Sequence, residues 1–401
     1  MITVRPGSHA YRLLQLLIIT GEFPYRALGI LGSVKSLLDI VYKMQTVQHI
    51  KLKSEDTILK TRLFQMSGKG DSRTIRLNKH ALKVLNDIHP DARDCYLASF
   101  PDNRFTGQRF NIWRNHRVAE SVAMCMMAGI ETAPYLLPDL QNETNLHVIP
   151  EIPCFYLARN FKSIMEMELN KTTFTRVNGL VFYPGGSYAV YNTRDAAMKW
   201  SGGGEMKAQL HITDIVRRNA GLKDGVSSAL LFGKDAAVAL QTVEESDRSR
   251  KQDARFDKVY TSIHYIPMTQ TGIDLLKILI VPDWREKIIS SLFPPEMRPN
   301  GYGSMEYDAY WEERIIFSFL DSDIARLIRF NKGLKFEKQK TTEEQQSNEQ
   351  EQFEVVCYPW QQKFVKEFLC LKVKYTIVEM PEILEALGII SPEGGDDEYE
   401  G

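Results

Sequence analysis

Between residues 174 and 268 the chain switches repeatedly between two hydrophobic periods, which limits its folds more than any other feature. "TRVNGLVFY" and "SYAVYNT" are apolar, β-branched and aromatic runs around Pro184-Gly185-Gly186, and they read as a β-hairpin. Gly202 to Gly204 precede "EMKAQLHITDIVRRN", where Ala208, Leu210, Ile212, Ile215 and Val216 follow helical spacing. "SSALLFG", "DAAVALQTVEES" and "VYTSIHYIPM" then read as strand, helix and strand. An amphipathic helix, "RNHRVAESVAMCMMAGI", stands ahead of them at 114 to 130. Helix, hairpin, helix, strand, helix, strand is the order of an α/β unit. The prolines at 134, 138, 150 and 153 leave residues 131 to 172 irregular.

The N-terminal hundred residues follow a different plan. Ser8 is placed to cap the helix "HAYRLLQLLIIT", which ends at Gly21. "PYRALGILG" reads as a second short helix and "SVKSLLDIVYKMQTV" as a third, completing a helix-turn-helix. "HIKLKSE" and "ILKTRLFQMSGKGDSRTIRLN" are short strands, the latter folded at Gly68-Lys69-Gly70-Asp71 into a wing, and "NKHALKVLNDIHPDA" closes the unit as a helix. Residues 1 to 100 hold 15 Lys and Arg against 8 Asp and Glu, although the whole chain has a net charge of -1. A basic module on an acidic chain suits a polyanion. The reading therefore places Ser33, Lys35, Ser36 and Lys43 on the helix that enters the major groove. Lys51, Lys53, Lys60, Arg62, Lys69, Arg73 and Arg76 would meet phosphates of double-stranded DNA.

The helix-and-wing start, "NHRVAE" at 115 to 120 and the hairpin "VNGLVFYPGGSYAVYNT" with its following helix resemble, in that order, the replication-relaxation family. These are winged-helix proteins of plasmids and integrative mobile elements, related to MobC-type relaxases with a restriction-endonuclease-like core. The resemblance spans roughly residues 8 to 250. It implies an α+β or α/β chain: an N-terminal winged helix, an endonuclease-like α/β domain and a C-terminal α/β extension. It also implies an Asp in the first hairpin strand, and Glu-x-Asp or Glu-x-Lys in the second. This chain has Asn178 and Tyr191-Asn192-Thr193 there. Magnesium takes oxygen ligands, and amides do not supply the charge of two carboxylates.

Glu205-Met206-Lys207 spells a metal-site motif, but in a helix residues two apart point roughly 200° apart. Glu205 and Lys207 are thus expected in a solvated first turn. His116 and Glu120, four apart on one helix face, are expected as a buried or capping histidine beside a surface glutamate. With Arg194 and Asp195 they could line a polar pocket. His116, Glu120, Asp195 and Tyr191 are the catalytic candidates, Tyr191 as a relaxase-type nucleophile alongside Tyr188, although the alternation in "SYAVYN" suits strand packing better. No resident metal is expected, Mg or Mn entering only if the protein is a nuclease. No phosphate-binding loop is present.

Five scattered cysteines without C-x2-C pairing point to reduced thiols, with Cys125 a core residue. The absence of a leader or long apolar span gives a cytoplasmic expectation and no membrane partner. Residues 248 to 256 read as a charged connector and "FPPEMRPNGYGSMEYDAYWEE" as a surface loop. "RIIFSFLDSDIARLIRF" is a strand and a helix, and "FEVVCYPWQQKFVKEFLCLKVKYTIVEM" is strand, helix, strand, pairing back across a polar insertion.

The expected organisation is a DNA-binding domain at 1–100, a degenerate endonuclease-like domain at 101–270, and a C-terminal α/β region at 271–334 and 355–390. A disordered insertion fills 335–354 and an acidic tail 391–401. The expected function is DNA binding in a replication-relaxation or relaxosome setting, with partners among relaxosome or replication proteins and without metal-dependent cleavage. An active nicking relaxase and a winged-helix transcriptional regulator are the alternatives.

Overall fold

The structure is a computed structural model that describes residues 4–53, 55–103, 112–140, 151–162, 176–198, 202–220, 222–245, 256–298, 305–340 and 352–389. Helix α1 (His9–Thr20) starts where the Ser8 side chain accepts from the Tyr11 N–H, and it stops at Gly21, φ 74°. β1 (Glu22–Pro24) leads into a 3-10 helix (Tyr25–Leu31) and then α2 (Val34–Gln45), which buries Leu37, Val41 and Met44. The middle helix expected from sequence is therefore a 3-10 turn, bounded by Pro24 and Gly32.

β2 (Gln48–Lys51) and β3 (Ile58–Thr61) form a separate antiparallel ribbon. β4 (Phe64–Ser67) and β5 (Thr74–Leu77) join β1 in an antiparallel sheet of order β1-β5-β4. The turn between them needs glycine at 68: φ is +78°, and a Cβ would lie 2.3 Å from the Ser72 carbonyl oxygen. A 3-10 helix (Lys79–Asp87) and α3 (Ala92–Ser99) close this unit, so the closing segment is 3-10 where an ordinary helix was expected.

The central unit runs α4 (Ile112–Met127), β6 (Cys154–Leu157), α5 (Ala158–Lys162), β7 (Gly179–Tyr183), β8 (Gly186–Arg194), α6 (Gly202–Asn219), β9 (Ser228–Gly233), α7 (Ala236–Glu245), α8 (Phe256–Val259) and β10 (Ser262–Pro267). Its sheet has the order β10-β9-β8-β7-β6. The first three strands are an antiparallel meander, and β8, β9 and β10 are parallel. Strand side chains alternate between two cores: Val181, Val190, Leu230 and Phe232 face one, and Leu180, Phe182, Ala189 and Leu231 face the other. Both faces are covered, as parallel strands require.

The C-terminal unit follows as α9 (Gln270–Leu279), α10 (Trp284–Leu292), β11 (Ala309–Trp311), β12 (Arg314–Ser318), α11 (Ile324–Lys340), β13 (Phe353–Cys357), α12 (Pro359–Phe368), β14 (Lys374–Ile377) and α13 (Met380–Ala386). The pairing back of β13 onto β12 is as expected. Two expectations are corrected. The surface-loop stretch contains β11 and a buried Asp308, and the insertion starts later because α11, anchored by Phe330 and Leu334, continues to Lys340. The rest of that insertion (341–351), the acidic tail (391–401) and most of the charged connector (248–255) lie outside the described residues.

The last two units share one connectivity. Apart from the one-turn α8 ahead of β10, β7-β8-α6-β9-α7-β10 and β11-β12-α11-β13-α12-β14 are each a hairpin, helix, strand, helix, strand, with one antiparallel and two parallel pairings in the same lateral order. Their backbones agree in detail. The N–H of Asn178, just ahead of β7, bonds Val190 O, and that of Asp308, just ahead of β11, bonds Ile316 O. Beyond the last strand, Met268 N–H bonds Gly233 O and Val378 N–H bonds Cys357 O. Asp308 is thus the counterpart of Asn178. Among the described residues no helix is long and apolar enough to cross a membrane.

Candidate functional site

Two sites stand out: a cationic face on the first unit, and a sealed polar cluster where that unit meets the central sheet. On the first, Ser33, Lys35 and Lys43 of α2, Lys51, Lys53, Lys60 and Arg62 of the β2–β3 ribbon, and Lys69 of the β4–β5 turn are exposed; Ser36 is half-buried. Arg73 stacks on the Tyr25 ring, 4.4 Å from its centroid, and the Tyr25 hydroxyl lies 2.8 Å from that of the exposed Tyr42 on α2. The β4–β5 turn thereby joins α2 through Arg73 and the two tyrosines. Arg76 is a correction to the expected phosphate set. Its Nε and Nη2 donate to the buried Glu22 carboxylate at 3.0 and 2.6 Å, and Asn115 of α4 donates to the other oxygen at 3.0 Å. Arg76 thus anchors the unit to α4.

The sealed cluster is built from one face of α4 and the end of β8. Trp113, His116, Arg117 and Glu120 share that face by helical spacing. β8 delivers Asn192 and Arg194 through a bulge, and Arg194 takes a left-handed backbone, φ 57°. Arg194 Nη2 lies 2.9 Å from Glu120 Oε1, with the two side chains 2% and 1% exposed. The contact is an ion pair rather than an aligned hydrogen bond, since neither atom makes one. Asn192 Nδ2 donates to Glu120 Oε2 at 3.3 Å and to Arg117 O at 3.1 Å, while its Oδ1 accepts from Arg194 N. Asn178 Nδ2 donates to Ser121 Oγ at 3.1 Å.

A divalent cation does not fit this set. One carboxylate is present, it already faces a guanidinium, and the amides spend N–H groups inside the cluster, Asn192 on Glu120 and Asn178 on Ser121. Burial raises the Glu120 carboxyl and Arg194 opposes the rise; burial likewise lowers Arg194 and Glu120 opposes that. Over the pair lies the Trp113 ring, with Arg194 5.5 Å and Arg26 5.6 Å from its centroid. Arg26 reaches Asp195 at 3.5 Å and Asp71 of the wing turn at 3.7 Å, so the first unit lids the cluster.

Other expected residues fall differently. His116 is fully buried as one alternative allowed, but Glu120 beside it is buried too, correcting the surface assignment, because Arg194 and Asn192 compensate its charge. Burial, with Arg194 next, pushes His116 down to about 3, and neither ring nitrogen has a hydrogen-bond partner. Asp195 is half exposed and outside the pair. Glu205 and Lys207 lie on α6 as expected, with Lys207 exposed. Glu205 is not solvated: it accepts from Arg176 N at 2.9 Å and from the Tyr191 hydroxyl at 3.3 Å. Tyr191 also meets Tyr260 at 3.0 Å, and burial raises its phenol far above the usual value. Its hydroxyl is buried against Glu205 and Tyr260, the strand packing that the alternation of "SYAVYN" favours. Tyr188 is likewise packed, donating to Leu279 O.

Sequence reasoning missed the polar cluster of the C-terminal unit. Asp308 accepts from Arg326 Nη2 at 2.8 and 2.9 Å, and Arg326 Nη1 donates to Asp321 at 3.1 Å. The signal available was the spacing of acids in "LDSDIAR", directly ahead of a helix. No protein-family model, curated protein or solved structure matches the chain.

Proposed function

We propose that the chain binds double-stranded DNA through its first unit and that its central unit is an endonuclease-like core that no longer cleaves. The observation that carries this reading is the Arg194–Glu120 pair: the carboxylate a metal ion would need is already taken by a buried guanidinium. Support for the core comes from its order of helix, three-stranded meander, helix and parallel strand, with Asn178 ahead of the second strand and Asn192 and Arg194 at the end of the third.

Support for a winged helix comes from the β1-β5-β4 sheet, the glycine-turned ribbon between β4 and β5, and α2 lying beside Arg73. In this reading α2 enters the major groove, and Lys35, Lys43, Lys69 and Arg73 lie along phosphates. The setting is a replication-relaxation or relaxosome assembly of a mobile element in the cytoplasm, where a companion protein performs strand cleavage. The test is binding of the full chain to duplex DNA across a salt series. Affinity that falls steeply with salt is the expected result, and affinity indifferent to salt would remove the DNA reading.

A further inference from the structure

We propose that His264, Asp321 and Asp323 hold a divalent transition-metal ion that clamps the central sheet to the C-terminal unit. His264 is on β10, the edge strand of the five-stranded sheet, and the two acids lie between β12 and α11. An isolated bridge between His264 and Asp323, and a bond from Tyr265 N–H to Ser322 O, already bring these segments together. A ring nitrogen and one oxygen from each carboxylate lie within 4.8 Å of one another, and all three residues are buried.

The observation pointing to an ion is an orphaned oxygen. Asp323 Oδ1 accepts from the N–H groups of Ile263, Ala325 and Arg326 at 3.0, 3.0 and 3.2 Å, which fixes the side chain. Asp323 Oδ2 is buried with no donor. A buried carboxylate oxygen without a partner is costly, and an ion is one of the few things that satisfies it. The charge count agrees. Arg326 is held by both oxygens of Asp308 and by one of Asp321, and no lysine or arginine among the described residues is ion-paired with Asp323.

Arg285 also pairs with Asp308 at 3.1 Å, so two arginines face Asp308 and Asp321, and the buried charge of Asp323 is left for a cation to balance. His264 Nδ1 lies 2.9 Å from the Asp321 carbonyl oxygen. The tautomer that donates there leaves Nε2 with a lone pair, the arrangement metal-ligating histidines adopt. The Tyr358 hydroxyl, just past β13, is also fully buried without a partner. One imidazole and two carboxylates suit zinc or manganese. Because the site is enclosed, the ion enters as the chain folds and its binding adds to stability.

The full chain, stripped of metal by chelation, is titrated with Zn2+ and with Mn2+ while bound metal per chain and Tm are followed. The expected result is one equivalent bound and a Tm raised by several degrees. Asp323→Asn keeps the three N–H bonds to Oδ1 and should abolish both responses, as should His264→Gln. Failure of the wild-type chain to bind either ion stoichiometrically would overturn the proposal. Unchanged binding by a folded Asp323→Asn chain would overturn it as well. If the variants do not fold, the wild-type titration decides. None of these outcomes depends on the DNA reading.

Discussion

Arg194 combines a left-handed backbone with a side chain buried against Glu120, and each feature alone costs free energy that the surrounding structure must offset. Removing one partner of such a pair strands the other charge. Arg194→Ala should therefore lower stability by about 3–5 kcal/mol in urea unfolding, while replacing Arg194 and Glu120 together by Met and Leu should recover most of the loss. His116 gives a second test at this scale. Its folded value is about 3, whereas an unfolded histidine titrates near 6.5, so between these the unfolded chain binds a proton that the folded chain refuses. Its contribution is complete above about pH 6.5 and is lost as pH falls toward 3, at up to ~1.4 kcal/mol per pH unit. Urea midpoints at pH 7.5 and 5 should diverge less in His116→Phe than in the wild type. Asn178 and Asn192 were legible in sequence because a hairpin fixes where its residues point. The burial of Glu120 and Glu205 was not, since their partners Arg194, Arg176 and Tyr191 come from other elements.

At the scale of elements, the wing ribbon and α2 carry the binding prediction. Lys69→Ala and Arg73→Ala should each weaken DNA binding about equally across sequences and reduce the salt slope by about 1, measured by fluorescence anisotropy. Arg76→Ala should instead destabilise the fold, because Arg76 neutralises the buried Glu22. Gly68→Ala, whose Cβ would meet Ser72 O, should distort the wing and weaken binding without touching a cation. The helices and strands around Gly68 and the hairpin at Pro184 could be read from period and punctuation. The 3-10 character of Tyr25–Leu31 could not, since i and i+3 spacing serves both helix types. The end of α11 was misplaced for another reason: its last turns are mostly charged, their one apolar residue, Phe336, is exposed, and the buried anchors Phe330 and Leu334 lie upstream.

At the scale of the molecule, the chain is an N-terminal unit rich in exposed cations packed on two units of one connectivity, and each of those two keeps a buried carboxylate facing a buried arginine. Glu120 faces Arg194 in the central unit and Asp308 faces Arg326 in the C-terminal one. The strand, helix, strand, helix, strand order of the C-terminal unit could be read from the sequence, but β11, which makes its hairpin, could not, and its identity with the central unit emerged only when strand neighbours and registers were known. Arg26 ties the first unit to the central one at Asp195, so in the proposed reading bound DNA would lie beside the sealed cluster. The direct test is incubation of the full chain with supercoiled DNA and Mg2+ or Mn2+ at concentrations where binding is saturated. The account predicts a retarded but fully supercoiled product. Nicked circles that disappear when Glu120 is replaced by Gln would contradict it.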